Sequence, residues 1–330
     1  MRYRVVLYAL GSTVGAGFFM FFPYAHSLVG EQFTYSLVFS FLLMLFLSVF
    51  YLRSELPPWG DFFVFVGEAI WVAACLQYVG SLIHNVSGLS PTFLSNLFLL
   101  SLLLTQRFGW GKQLERFIVT LIVLFLSILL TYSGVTVRVR FEAPNLSFFY
   151  ALPISFVLLM GFERVAEAFP GRKEKAVLFS LSFSLVVYLF LIHAYSEEVL
   201  RSALGLPFLA LIVLIILASA NSSLLACEKA FQGVSRMMSL PRSVVRSEPF
   251  LLFVLISLLI SLSSMELYLF SFSSVYLSYF LSLSLVRKDK WSFLSVPLML
   301  HLLVIPSQYI LLPLFLLPIV HKCQKLPRSS

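Results

Sequence analysis

Apolar stretches follow one another along the whole chain, separated by short polar or basic connectors. A stretch of about 20 apolar residues reads as a helix crossing a bilayer. Twelve such spans are expected, at 4–22, 33–52, 62–84, 91–107, 114–134, 148–168, 175–195, 207–232, 249–263, 266–286, 291–305 and 307–321. The pattern predicts an all-α polytopic membrane protein. The last two spans are short and can also be read as one unit kinked around Pro306. Lys322, Lys325 and Arg328 favour two, because the C-terminus then ends on the basic side.

Two spans depart from an ordinary helix. Span 1 holds Gly11-Ser12-Thr13-Val14-Gly15-Ala16-Gly17, followed by Pro23. Counted from Tyr3 at 1.5 Å per residue, Gly11 to Gly17 lie about 12 to 21 Å along the helix, near mid-depth. Span 6 holds Ser155-Phe156-Val157-Leu158-Leu159-Met160-Gly161-Phe162-Glu163, followed by Pro170. Irregular backbone at that depth survives only where protein buries it or where it lines a cavity. The chain therefore divides near residue 140 into two five-span halves, 1–140 and 141–287, each opening on a break. Five spans is an odd number, so the second half is inverted relative to the first. Residues 288–330 add two peripheral helices and a short tail. Broken spans in corresponding positions of inverted halves point to a transporter's binding site.

Composition agrees with the spans. The 330 residues are 60% hydrophobic and 12% charged, against roughly 25% charged in soluble domains. The net charge of +8 is a matter of orientation. With a cytoplasmic N-terminus, all Lys and Arg but Arg138, Arg140 and Arg201 fall on the cytoplasmic side. Nucleic acid is not an expected partner; membrane lipid and a small molecule are. Cys75, Cys227 and Cys323 suggest no disulfide framework. Five scattered histidines show no metal-ligand spacing. No nucleophile–base set or phosphate loop points to an enzyme, and Asp61 and Asp289 are the two aspartates of the chain. The first apolar run lacks a cleavage site and reads as a retained span. The short tails suit a prokaryotic cell membrane, with both termini cytoplasmic. Nothing distinguishes a monomer from a homodimer.

The breaks suggest chemistry without charged side chains. The start of a half-helix offers orphan N–H donors and partial positive charge. In span 1, Gly15, Ala16 and Gly17 would donate to a carboxylate. In span 6, carbonyls around Phe156, Val157 and Met160, before Gly161, would accept from an ammonium group. Together they suit a zwitterionic amino acid or a small organic amine. Ser219, Ser222 and Ser223 share one face of span 8 at i, i+3, i+4. With the carbonyls of Gly11 and Val14 they form a candidate Na⁺ site, the one cofactor expected. Ionisable groups inside a bilayer are functional by default. Glu163 beside the span 6 break and Glu68 in span 3 are the proton-coupling candidates. Glu68 lies about six residues from the cytoplasmic end, which also allows a structural pair with a basic loop residue.

Gly11-Ser-Thr-Val-Gly-Ala-Gly-Phe-Phe resembles the first-helix signature of the amino acid–polyamine–organocation (APC) superfamily. Gly161-Phe162-Glu163 followed by Pro170-Gly171-Arg172 is similar to its sixth helix and exit loop. Asn221-Ser222-Ser223 with Ser235-Arg236-Met237-Met238 and Leu240-Pro241 looks like its eighth helix and the loop after it, and Glu55-Leu56 fits the end of the second. The resemblance spans 1–286 and implies the leucine-transporter (LeuT) fold, a 5+5 inverted repeat with helices 1 and 6 broken. It implies Phe18, Trp71, Ser155 and Phe162 as side-chain pocket residues. It equates the span 8 serines with a sodium site of that fold, while Phe18 replaces an Asn of the other. Proton-coupled relatives can carry a Lys in span 5, where this chain has none between Val119 and Gly134. It also implies an extracellular lid at 196–206, where charges and apolar residues segregate. The expected function is secondary active transport of an amino acid or related amine, coupled to Na⁺ or H⁺. The alternative is a non-transporting receptor subunit that senses an amino acid on the same fold.

Overall fold

The computed structural model describes residues 16–53, 59–110, 120, 143–161, 174–194, 197–262, 264–287 and 294–305. Among these residues the chain is helical, with turns and no strand. The helices are α1 (Ala16–Val29), α2 (Phe33–Arg53), α3 (Gly60–Ser87), α4 (Pro91–Arg107), α5 (Leu152–Leu159), α6 (Glu174–Ala194), α7 (Glu197–Met237), α8 (Arg242–Arg246), α9 (Glu248–Ser261), α10 (Met265–Arg287) and α11 (Ser295–Val304). Short 3₁₀ turns cover Gly30–Gln32 and Leu146–Ala151. Three helical stretches, Phe19–Leu52, Gly60–Ser87 and Leu209–Met237, are long and apolar enough to cross a membrane.

Local sequence explains most of the ends. Proline sits in the first turn of α4, α5 and α9, where its missing N–H would have had no partner. Gly88, left-handed at φ 71°, closes α3 by returning its N–H to the His84 carbonyl at 2.8 Å. Ile305 is extended at ψ 130°, as a residue before proline prefers. α11 therefore stops at Val304, next to the expected end of span 11 at residue 305.

Two expected boundaries move. Pro23 lies inside α1, which runs on to Val29; span 1 does not end at the proline. The expected lid at 196–206 is not a separate helix, because α7 is continuous over 41 residues and Pro207 lies within it. At 1.5 Å per residue α7 is about 60 Å long, roughly twice a bilayer core. Span 5 (apart from residue 120), span 12 and the tail lie outside the described residues.

Buried side chains from α1, α2, α3, α5, α7, α9 and α10 form one core. α3 is its axis and packs against α7, α10, α4 and α9. Between apolar helices in lipid, close approach and polar contacts drive association. α3 allows that approach with small residues: Gly60 lies under the Tyr279 ring and Gly67 under the Tyr276 ring of α10. Four packed pairs frame the site: α1 with α5, α2 with α6, α3 with α7, and α4 with α9.

Candidate functional site

The arm α5 is buried along its whole length and stops inside the core. Asn145 starts the segment by accepting from the Ser147 amide at 2.9 Å. Met160 then turns extended (φ −68°, ψ 164°) and Gly161 takes φ 123°, a region open to glycine and strained for other residues. Both residues are buried. A helix end offers carbonyls without intrahelical donors, and without water these need other partners. The Met160 amide turns back to the Val157 carbonyl at 3.2 Å. The Tyr188 hydroxyl of α6 donates to the Leu158 carbonyl at 3.1 Å.

Hydroxyls from neighbouring helices also hold the arm. Ser36 donates to the Phe148 carbonyl, Ser40 contacts the Leu152 carbonyl at 3.4 Å, and Ser273 of α10 donates to the Pro153 carbonyl at 3.1 Å. Gln32 donates to the Ala143 carbonyl and accepts from the Asn145 amide, both at 3.0 Å. Gln32, Ser36 and Ser40 recur every four residues and form one polar seam toward the arm.

Gly17 of α1 meets the arm near its stop. A Cβ at Gly17 would lie 3.3 Å from Leu158 Cδ2, 3.4 Å from the Trp71 ring and 3.7 Å from Leu158 Cα. Trp71 of α3 is 5% exposed. Its indole N–H donates to Ser219 Oγ of α7 at 2.9 Å. Its ring lies 5.0 Å from Phe272 of α10 and 5.9 Å from Phe21 of α1. Tyr78 of α3 donates to the Phe19 carbonyl at 3.1 Å. Five helices thus converge on one small region: α1, α3, α5, α7 and α10.

Of the expected site residues, Gly17, Trp71 and Ser219 come together beside Leu158. Val157, Met160 and Gly161 form the stop itself, with the Val157 carbonyl already engaged by Met160. Phe156 points its ring elsewhere, toward Phe280 (6.3 Å) and His301 (5.9 Å). Ser155 is fully buried, and its hydroxyl has no hydrogen-bond partner among the described residues. The same holds for the hydroxyls of Ser222 and Ser223 in α7. Buried polar atoms without partners are uncommon and costly, so these three suit a polar or cationic guest. At the residue before Ser222, Gln106 of α4 donates to the Asn221 carbonyl at 3.2 Å. Ala16 and Phe18 lie in α1, where their backbone alone is described. Gly11, Val14, Gly15, Phe162 and Glu163 lie outside the described residues.

Glu68 is fully buried, one helical turn from Trp71, and accepts from the Tyr276 hydroxyl of α10 at 2.9 Å. Among the described residues no three His, Cys, Asp or Glu side chains group as a metal site. Sequence reasoning missed Phe21, Phe272, Tyr276, Tyr188 and Ser273. The seam at 32, 36 and 40 was visible as a four-residue spacing, but nothing in the chain named the helix it faces.

No protein-family model matches the chain, and no curated protein matches it. The site's meaning therefore rests on its geometry. The described contacts join the helix stop to Gly17, Trp71 and Ser219, and the hydroxyls of Ser155, Ser222 and Ser223 are buried without a described partner.

Proposed function

We propose that the protein is a secondary active transporter working by alternating access, and that it carries an amino acid or related small organic amine. The observation that carries this reading is the stop of α5 at Met160–Gly161, with Gly17 and Trp71 packed beside Leu158. A helix that ends in a protein core has backbone groups ready for a guest.

The LeuT-type arrangement is part of the proposal. In span numbers the four packed pairs are 1 with 6, 2 with 7, 3 with 8, and 4 with 9. Each of spans 1 to 4 thus meets the span five later, as expected when two five-helix modules are related by an axis in the membrane plane. That pattern supports inverted repeats, and with them the kinship to the APC superfamily suggested by the residues of spans 1, 6 and 8.

For the substrate, N–H groups of Gly15, Ala16 and Gly17 would take a carboxylate, and carbonyls at the α5 stop would take an ammonium group. Trp71 would wall off the side chain, joined from outside the described residues by Phe162, with Phe18 of α1 as a further candidate. For coupling, the buried hydroxyls of Ser222 and Ser223 fit a Na⁺ site completed by Ser219 and the carbonyls of Gly11 and Val14. Hard cations take oxygen ligands of this kind. Proton coupling is the second reading, favoured by Glu68 buried against Tyr276, with Glu163 as the other carboxylate.

The test is a thermal-shift screen of the purified protein against amino acids and amines, with and without Na⁺ and across pH, followed by counterflow in proteoliposomes. The proposal expects a stabilising ligand that exchanges across the bilayer. Ser222→Ala with Ser223→Ala would raise the Na⁺ concentration needed for that stabilisation. A ligand that stabilises without exchange would instead favour the sensing receptor.

A further inference from the structure

α11 turns Leu298, His301 and Ile305 inward and leaves Val296, Met299, Leu300 and Leu303 exposed. His301 is therefore an ionisable ring, 0% exposed, on a helix that no step above uses. It is stacked on Phe39 of α2 (5.8 Å, 26°) and meets Phe156 of the arm edge-on (5.9 Å, 63°).

Its two nitrogens have different partners. Nδ1 lies 2.8 Å from the Pro297 carbonyl; a carbonyl only accepts, so Nδ1 holds a hydrogen. Nε2 lies 3.1 Å from Ser40 Oγ, and the same Oγ lies 3.4 Å from the Leu152 carbonyl of the arm. In a neutral ring Nε2 has no hydrogen, so Ser40 donates its single hydrogen to Nε2 and the Leu152 carbonyl loses it. If Nε2 gains a proton, it donates to Ser40 Oγ, and the hydroxyl hydrogen turns to the Leu152 carbonyl. One proton thus decides whether α2 grips the arm at Leu152.

We propose that His301 is a positioning residue that acts through Ser40, fastening the arm α5 to α2 when its ring is protonated and loosening it when neutral. The proposal rests on the transport reading for its consequence, because the arm ends at the proposed substrate site.

Among the described residues the ring meets Phe39 and Ser40 of α2, Phe156 of α5 and Pro297 of α11 itself, none charged. The titratable side chains of α10 engage elsewhere: Glu266 with Tyr24 (3.1 Å), Tyr268 with the Leu259 carbonyl (2.9 Å), Tyr276 with Glu68 (2.9 Å), and Tyr279 with Trp59 and Gly60. Arg287 ends that helix. On α2, Tyr51 packs on Tyr279 and Phe280, Tyr35 lies five residues before Ser40, and Arg53 is the last residue. Tyr150 of the 3₁₀ turn is 67% exposed, and α5 holds no titratable residue. Glu68 is separated from His301 by the rings of Tyr276, Phe280 and Phe156.

The test combines ring-¹⁵N histidine spectra in proteoliposomes with uptake, between about pH 3 and 8, a range wide enough for the charge change of an exposed or a buried histidine. The His301 signal is identified by its loss in His301→Gln. The proposal expects the neutral Nδ1–H tautomer at the alkaline end and a doubly protonated ring at the acid end. Ser40→Ala should keep that titration yet remove the component of the uptake profile that follows it, and Ser40→Thr should restore it. A ring with its hydrogen on Nε2, a ring that never titrates, or an unchanged profile in Ser40→Ala overturns the proposal. If His301→Gln does not fold, the two Ser40 variants decide. Absence of uptake in the wild type would overturn the transport reading, while the ring spectra would still judge the tautomer and its titration.

Discussion

The arm Leu152–Leu159 and the helix Gly60–Ser87 are both buried in the core, yet one stops inside it and the other runs through for 28 residues. The continuous helix satisfies its backbone internally and uses its small residues to let neighbours approach. Tyr276 and Tyr279 lie on Gly67 and Gly60, and Ser95 adds a bond at 2.9 Å to the Leu76 carbonyl, which the helix already serves. The discontinuous arm depends on others. Tyr188, Ser273 and Ser40, from α6, α10 and α2, reach its carbonyls, and Ser36 reaches Phe148 in the turn before it. Burial alone therefore does not mark a site. The stop of the helix does, because the Leu158 carbonyl there lacks an intrahelical donor and takes one from Tyr188.

Substitutions can break this contrast. Gly161→Val should have the largest effect, because a β-branched residue at φ 123° is strained by about 1–3 kcal/mol or more and would shift the stop. Uptake should be lost while the protein remains monodisperse on a sizing column; normal uptake would remove the stop from the mechanism. Gly67→Ala should act on stability, because its Cβ collides with the Tyr276 ring. Overpacking of this kind costs about 1–3 kcal/mol, read as a lower midpoint of thermal unfolding. Tyr188→Phe takes the one described side-chain donor from the Leu158 carbonyl, a loss of about 1 kcal/mol. Ser95→Ala in α4 is the matched control for α3: the Leu76 carbonyl keeps its intrahelical donor, so the midpoint of thermal unfolding should fall less than in Tyr188→Phe. An equal loss in Tyr188→Phe and Ser95→Ala would erase the distinction between the two helices.

Part of this was legible in the sequence. Gly161 stood out because it precedes Pro170 at nearly the spacing by which Gly15 precedes Pro23, and the structure gives it a positive φ. Gly17, Trp71 and Ser219 were each singled out on separate spans and do converge. Other features were hidden for physical reasons. Pro23 suggested an end, but a helix can carry proline where neighbours supply what it removes, and α1 continues. The partner of Glu68 was hidden because position along a span says nothing of what packs on it, here Tyr276, 208 residues away. The hydroxyls that hold the arm were lost among many serines, since ordinary membrane helices also use serine to bond their own backbone.

Concentrative uptake tests the central claim most directly. Proteoliposomes containing the protein and an amino acid or amine that stabilises it would be given an inward Na⁺ or H⁺ gradient. The account predicts accumulation above the outside concentration, collapsed by the matching ionophore and absent in Gly161→Val. Saturable binding with no gradient-driven accumulation would contradict it.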